Sequence, residues 1–164
     1  MRTAIFPGTF DPPSLGHLDI IKRAQCLCDT LYVGIALNRA KEKDALFSLE
    51  EKIAMLQEIT KEFPYVKVIS FEGLVVHYAK THQMDFILRG LRAFSDFEYE
   101  FRMALANRKI SGVETVFLMA DERHAHISSS LIKEIGFFQN RLKEFVPSSI
   151  EEKIFDRLSK EGRK

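Results

Sequence analysis

Four groups of residues have the types and spacing to handle phosphate. The first is Thr9 with Ser14-Leu15-Gly16-His17, where the apolar run Ala4 to Phe6 stops at Pro7-Gly8 and a helix opens behind Ser14. Unpaired N–H groups and the positive dipole end at a helix start attract anions, and Gly16 has no side chain to hold a phosphate off. The same dipole disfavours an imidazolium, so His17 is expected to be neutral in the free protein. The second group, Arg89-Gly90-Leu91-Arg92, sets two guanidinium groups around a glycine at the end of an apolar run, a pattern suited to bidentate phosphate contacts. Lys41 and Lys43 follow another apolar run, and Ser128-Ser129-Ser130 opens a late helix. Read alone, the arginines are also compatible with a solvated loop, and the serines with an N-cap and spare hydroxyls. Neither G-x-x-x-x-G-K-[ST] nor G-x-G-x-x-G is present, so helix starts and scattered cations would have to hold any phosphate.

Other polar residues carry less. Asp11, between Phe10 and Pro12, reads as a turn-fixing acceptor rather than a general base. Asp96 and Glu100 share a helix face at i,i+4 and could reach ligand hydroxyls or face solvent. His77, His82, His124 and His126 lack carboxylate or cysteine partners at ligand spacings, so no built-in zinc site is expected.

The elements that must position these groups alternate between strand and helix. Ala4 to Phe6, Leu31 to Leu37, Tyr65 to Phe71, Asp85 to Arg89 and Thr115 to Met119 read as strands. Ser14 caps a helix with Ile20, Ile21, Ala24, Leu27 and Cys28 on its apolar face. Ser48-Leu49-Glu50-Glu51 is a capping box for a second helix that runs to Phe63 before Pro64. Leu74 to Gln83 is a shorter candidate. A further helix carries the stripe Phe94, Phe97, Phe101 and Leu105, with Glu98 and Arg102 spaced to pair outside. Ser130 to Phe138 and Ser149 to Leu158 complete the set, and Lys160 to Lys164 is expected to fray. Such alternation predicts an α/β fold, a Rossmann-like doubly wound domain over 1–164 with a parallel sheet of about five strands. Its ligand site is expected beyond the carboxyl ends of the strands.

Composition narrows the class. The 164 residues suit one domain without staples. With 24 Lys plus Arg against 23 Asp plus Glu, general binding to nucleic acid or a membrane surface is not expected. Cys26 and Cys28, two apart on a predicted helix, read as core thiols rather than a disulfide. The first apolar run ends at Pro7 and no run reaches a membrane span, so a cytoplasmic protein is expected.

The segment P-G-T-F-D-P followed by Gly16-His17 resembles the nucleotidyltransferase T/H-x-G-H region, with Ser14 replacing the usual Thr or His. Together with S-L-E-E, R-G-L-R, D-F-E-Y-E at Asp96 to Glu100, Asn107-Arg108 and I-S-S-S, the chain resembles the phosphopantetheine adenylyltransferase family over nearly its whole length. That resemblance implies adenylate transfer from ATP to 4'-phosphopantetheine, giving dephospho-coenzyme A and pyrophosphate, with magnesium and a homohexamer. It implies catalytic roles for His17, Thr9 and Lys41. It places Thr9, Phe10, His17, Gly90, Leu91, Arg92, Glu100 and His124, Ala125, His126, Ile127, Ser128, Ser129 and Ser130 against ATP. Thr9, Lys41, Leu74, Val75, Arg89 and Asn107 would face phosphopantetheine. Ala120, His124 and His126 depart from the family's usual Pro and aromatic residues. An apolar cluster at Phe137, Phe138, Leu142, Phe145 and Val146 adds a local hint of assembly. The competing readings are a sibling adenylyl- or cytidylyltransferase with another acceptor, a non-catalytic nucleotide-binding module, and a fragment related to class I tRNA synthetases.

Overall fold

The structure, a computed structural model, describes residues 1–37 and 44–161. Five parallel strands, β1 (Thr3–Gly8), β2 (Thr30–Leu37), β3 (Val66–Glu72), β4 (Phe86–Leu91) and β5 (Glu114–Met119), form one sheet in the order β3-β2-β1-β4-β5. The helices are α1 (Leu15–Arg23), α2 (Leu49–Thr60), α3 (Val75–Thr81), α4 (Phe94–Ser111), α5 (Ser129–Phe137) and α6 (Ser148–Glu161). Successive strand residues point to opposite faces, and here both faces are apolar. Ala4, Phe6, Leu31, Val33, Ile35, Phe86 and Leu88 join a core with residues of α1, α2, α5 and α6. Ile5 and Ile87 join a second core with Val76 and Ala79 of α3. Two-sided burial is why these strands read as continuous apolar runs.

Four details depart from the sequence expectations. β1 does not stop at Phe6 but pairs with β2 through Pro7 and Gly8. Its ladder with β4 involves only Ala4 and Ile5, and the Pro7 carbonyl turns to that side to accept from Arg89 Nη1 at 2.8 Å. The missing proline N–H therefore falls where the ladder has already ended. The first helix ends at Arg23 and is followed by a tighter turn, Ala24–Cys26, which leaves Cys28 buried but Cys26 exposed rather than in the core. The stripe on α4 is not buried: Phe94, Phe97, Phe101 and Leu105 all reach solvent. In the late cluster Leu142 and Val146 are buried and Phe145 packs on the core, so only Phe137 and Phe138 remain exposed.

The predicted capping box forms, with Ser48 Oγ accepting from Glu51 N and Glu51 accepting from Ser48 N. Glu98 and Arg102 pair on the exposed side of α4. Lys160 lies in α6, and 162–164 lie outside the described residues. No described helix is long and apolar enough to cross a membrane.

Candidate active site

β1 and β4 are the neighbours at which the winding of the sheet reverses, and beyond their carboxyl ends opens a cleft of about 890 Å³. Both the position and the size suit a small-molecule site in a doubly wound sheet. Thr9, Gly16, His17, Arg89, Gly90, Arg92, Glu100, Ile127, Ser128, Ser129 and Ser130 line it, with Leu74, Val75 and Asn107 toward α3 and α4. The four groups singled out by residue type thus converge, except that Lys41 and Lys43 lie outside the described residues.

The turn after β1 is shaped around His17. Phe10, at φ 47°, folds its ring inward, fully buried, and packs edge-on against the imidazole at 4.9 Å. A Cβ on Gly8 would sit 2.8 Å from that ring, so only glycine leaves room for it. A Cβ on Gly16 would meet only ordinary contacts, 3.6 Å from His124 O and from Ser14 Oγ. Packing does not require that glycine; its bare face opens into the cleft.

Ser14 and His17 form a capping box in which histidine takes the place usually held by Glu or Gln. Ser14 Oγ accepts from His17 N, and the Ser14 N–H donates to Nδ1 at 3.1 Å. Because Nδ1 is an acceptor, the proton of the neutral ring sits on Nε2, where it can be donated to a ligand oxygen. His17 is held neutral, its pKa lowered to about 4. The causes, largest first, are burial and then the positive charges of Arg92 and Arg89.

The arginines are anchored from α4. Arg89 donates Nε to Glu100 Oε2 at 2.8 Å and Nη2 to Oε1 at 2.5 Å, besides its bond to Pro7 O. Among the described residues this uses three of its five N–H donors, leaving two for an anion. Arg92 donates Nε to Asp96 Oδ2 at 3.1 Å and Nη1 to Ile127 O at 3.2 Å. The i,i+4 carboxylates Asp96 and Glu100 therefore each hold one arginine rather than standing free for ligand hydroxyls.

Asp11 is the acceptor the sequence suggested. It takes Leu46 N and Phe47 N, both at 3.0 Å, and Lys133 Nζ at 2.6 Å.

Some expected contacts are not lining residues. The rings or side chains of Phe10 and Leu91 are buried, and His124, Ala125 and His126 do not line the cleft. The His126 ring instead packs edge-on against Phe145 at 6.1 Å, and His124 Nδ1 is buried without a hydrogen-bond partner among the described residues. Sequence reasoning missed Tyr99, Met103 and Ala104, which line the cleft. Their signal was available in the helical spacing of Asp96, Tyr99, Met103 and Asn107 along one face.

The Cytidylyltransferase-like family model matches residues 5–135. A protein named phosphopantetheine adenylyltransferase from Caldanaerobacter subterraneus subsp. tengcongensis is 50% identical over 161 residues, covering 98% of this chain and 99% of the relative. One of the same name from Carboxydothermus hydrogenoformans is 49% identical over 163 residues, covering 99% of each. The chain therefore belongs to the cytidylyltransferase-like family and, within it, to the phosphopantetheine adenylyltransferases. The crystal structure of the lipopolysaccharide core biosynthesis protein from Thermoplasma volcanium GSS1 superposes with a TM-score of 0.53 at 20% identity, covering 74% of this chain and 97% of that one. That likeness speaks to the fold alone.

Proposed function

We propose that this chain transfers the adenylyl group of ATP to 4'-phosphopantetheine, forming dephospho-coenzyme A and releasing pyrophosphate. The observation that carries the reading is the convergence of His17, Arg89, Arg92 and the starts of α1 and α5 on one cleft, in a chain that matches its relatives almost end to end. An oxygen of the acceptor phosphate bonds to the α-phosphorus, and the bond from that phosphorus to the bridging oxygen breaks, its electron pair leaving with pyrophosphate. The attacking oxygen is already ionised, so no general base is needed. Alignment and charge neutralisation carry the rate.

In this scheme Nε2–H of His17 donates to an α-phosphate oxygen, Thr9 lies beside it, and the N–H groups at the start of α5 face the departing pyrophosphate. Arg92, Gly90 and Ile127 to Ser130 serve the nucleotide. Arg89, Leu74, Val75 and Asn107 serve the acceptor, and Lys41 bridges the two by resemblance. A magnesium ion fits as cargo of the triphosphate: among the described residues the carboxylates that line the cleft, Asp96 and Glu100, are bonded to arginines, so phosphate oxygens and water would hold it. Its contribution would be to neutralise phosphate charge.

A homohexamer in the cytoplasm is part of the same proposal, built from one domain over 1–164. What supports assembly is α4, where Phe94 is 88% and Tyr99 65% exposed alongside Phe97, Phe101, Leu105 and Ile110, more apolar surface than an isolated chain usually leaves on one helix. Sedimentation that finds only monomer at micromolar concentration removes that part. The reaction is tested by incubating purified protein with ATP, magnesium and 4'-phosphopantetheine and looking for dephospho-coenzyme A. Turnover of only nicotinamide mononucleotide, or only with CTP, overturns the acceptor or donor assignment.

A further inference from the structure

Ser128, Ser129 and Ser130 look interchangeable in the sequence, but the hydroxyls of the first two have different partners. Ser128 Oγ accepts from Leu131 N at 3.1 Å and keeps its own proton to give. Ser129 Oγ donates to Pro12 O at 2.9 Å. A carbonyl can only accept, and a hydroxyl has one proton, so this bond leaves Ser129 nothing to donate to a phosphate oxygen, itself an acceptor.

One turn further along the same face of α5, Lys133 Nζ bonds Asp11 Oδ2 at 2.6 Å. The Asp11 side chain is only 9% exposed and also holds Leu46 N and Phe47 N, where the chain enters α2. Residues four apart on a helix are neighbours on its surface. Ser129 and Lys133 therefore bond two consecutive residues of the turn that follows Thr9 and Phe10, both within hydrogen-bonding distance and one with full charge assistance.

We propose that Ser129 and Lys133 are positioning residues: with Asp11 and the Pro12 carbonyl they strap α5 to the turn after β1 and so set the separation between the starts of α1 and α5, which lie side by side on one wall of the cleft. The Ser129 hydroxyl is a strut in this assignment, not a phosphate ligand, and the phosphate-facing groups at the start of α5 are its backbone N–H groups and the hydroxyls of Ser128 and Ser130. Two halves of an anion cradle on separate elements work only at a fixed spacing, and a misplacement on the order of 1 Å can cost about 100-fold in rate.

The kinetic arm of the test rests on the adenylyl-transfer reading; the exchange arm does not. In the ligand-free protein, Ser129→Ala and Lys133→Met should each speed backbone amide hydrogen exchange at the start of α5, read by mass spectrometry of peptides covering 128–134. Each should also lower kcat by about tenfold, with KM for 4'-phosphopantetheine within about twofold of wild type. Because both side chains belong to one strap, the double variant should be little worse than the poorer single one. Lys133→Arg, which keeps a charged donor, should restore most of the loss. Additive effects of the two substitutions, or a Ser129→Ala loss with Lys133→Met silent, would make Ser129 a direct ligand and overturn the proposal. Unchanged exchange in Ser129→Ala overturns it whether or not Lys133→Met folds. A wild-type protein that fails to make dephospho-coenzyme A counts against the reaction and leaves the exchange result to decide the strap.

Discussion

On one side of the cleft, the turn after β1 and the starts of α1 and α5 are held by side chains that bond backbone: Ser14 with His17, Asp11 with Leu46 and Phe47, and Ser129 with Pro12. Across from it, α4 runs for 18 residues with none of its described side chains buried, and it reaches the cleft's arginines through the carboxylates Asp96 and Glu100. The first wall has its geometry fixed by the chain's own interior, as groups that act on a developing charge require. The second has long, charged, partly exposed groups and an apolar outer face that the single chain leaves uncovered. On the proposed function, transition-state chemistry falls to the rigid wall, and ligand discrimination and assembly to the open one.

The hardest test of that division is His17→Ala. In the proposed scheme His17 donates from the rigid wall mostly in the transition state, so kcat at saturating concentrations of both substrates should fall about 100-fold or more, while the Michaelis constants move comparatively little. Steady-state assays of dephospho-coenzyme A formation read this directly. Near-wild-type turnover would reduce His17 to a capping residue, and the rigid wall would lose its catalytic claim.

That wall also shows what the sequence displayed and what it hid. The strand ends, the helix start at Ser14 and the arginines around Gly90 were legible because each is a local pattern, an apolar run broken by turn residues or a cap at fixed spacing. The inward turn of Phe10 was not, since it depends on a positive φ and on the empty space at Gly8. Nor could the partners of Asp11 be read, because Leu46 and Lys133 are brought to it by the sheet and not by spacing. The stripes of α4 and α6 have the same helical period. Yet Ile150, Ile154 and Leu158 of α6 are buried while Phe94, Phe97 and Phe101 of α4 are exposed. Periodicity marks an apolar face without saying whether its cover lies in the same chain.

A smaller effect should separate the two arginines of the open wall. Arg89, bonded to Pro7 O and Glu100, is the one proposed to meet the acceptor phosphate, so Arg89→Ala should weaken 4'-phosphopantetheine by about tenfold or more and ATP less. Arg92→Ala should show the opposite order, because Arg92 joins Asp96 to Ile127 O beside the start of α5. Calorimetric titration of each ligand separates the cases. Equal losses for both ligands would mean that the open wall sets a common potential and not two subsites. Both variants should keep a stability within about 1 kcal/mol of wild type, since neither side chain is part of the core.

The smallest effect comes from the protonation of His17. Its pKa is lowered to about 4 in the folded protein, by burial and then by Arg92 and Arg89, against about 6.5 in an unfolded chain. Between those two values the unfolded state binds a proton on this ring that the folded state does not. Stability linked to His17 is therefore fully present above about pH 6.5 and falls as the pH drops toward 4. A proton could be accepted on Nδ1 only by giving up the bond from Ser14 N, so the titration is tied to the cap of α1. Urea unfolding at pH 7 and pH 5 should show wild type losing about 1 to 2 kcal/mol more than His17→Gln over that interval, the other titrating groups cancelling in the difference. If the two proteins lose the same amount, His17 titrates as a solvated histidine does. The wall that holds it would then be as open as α4.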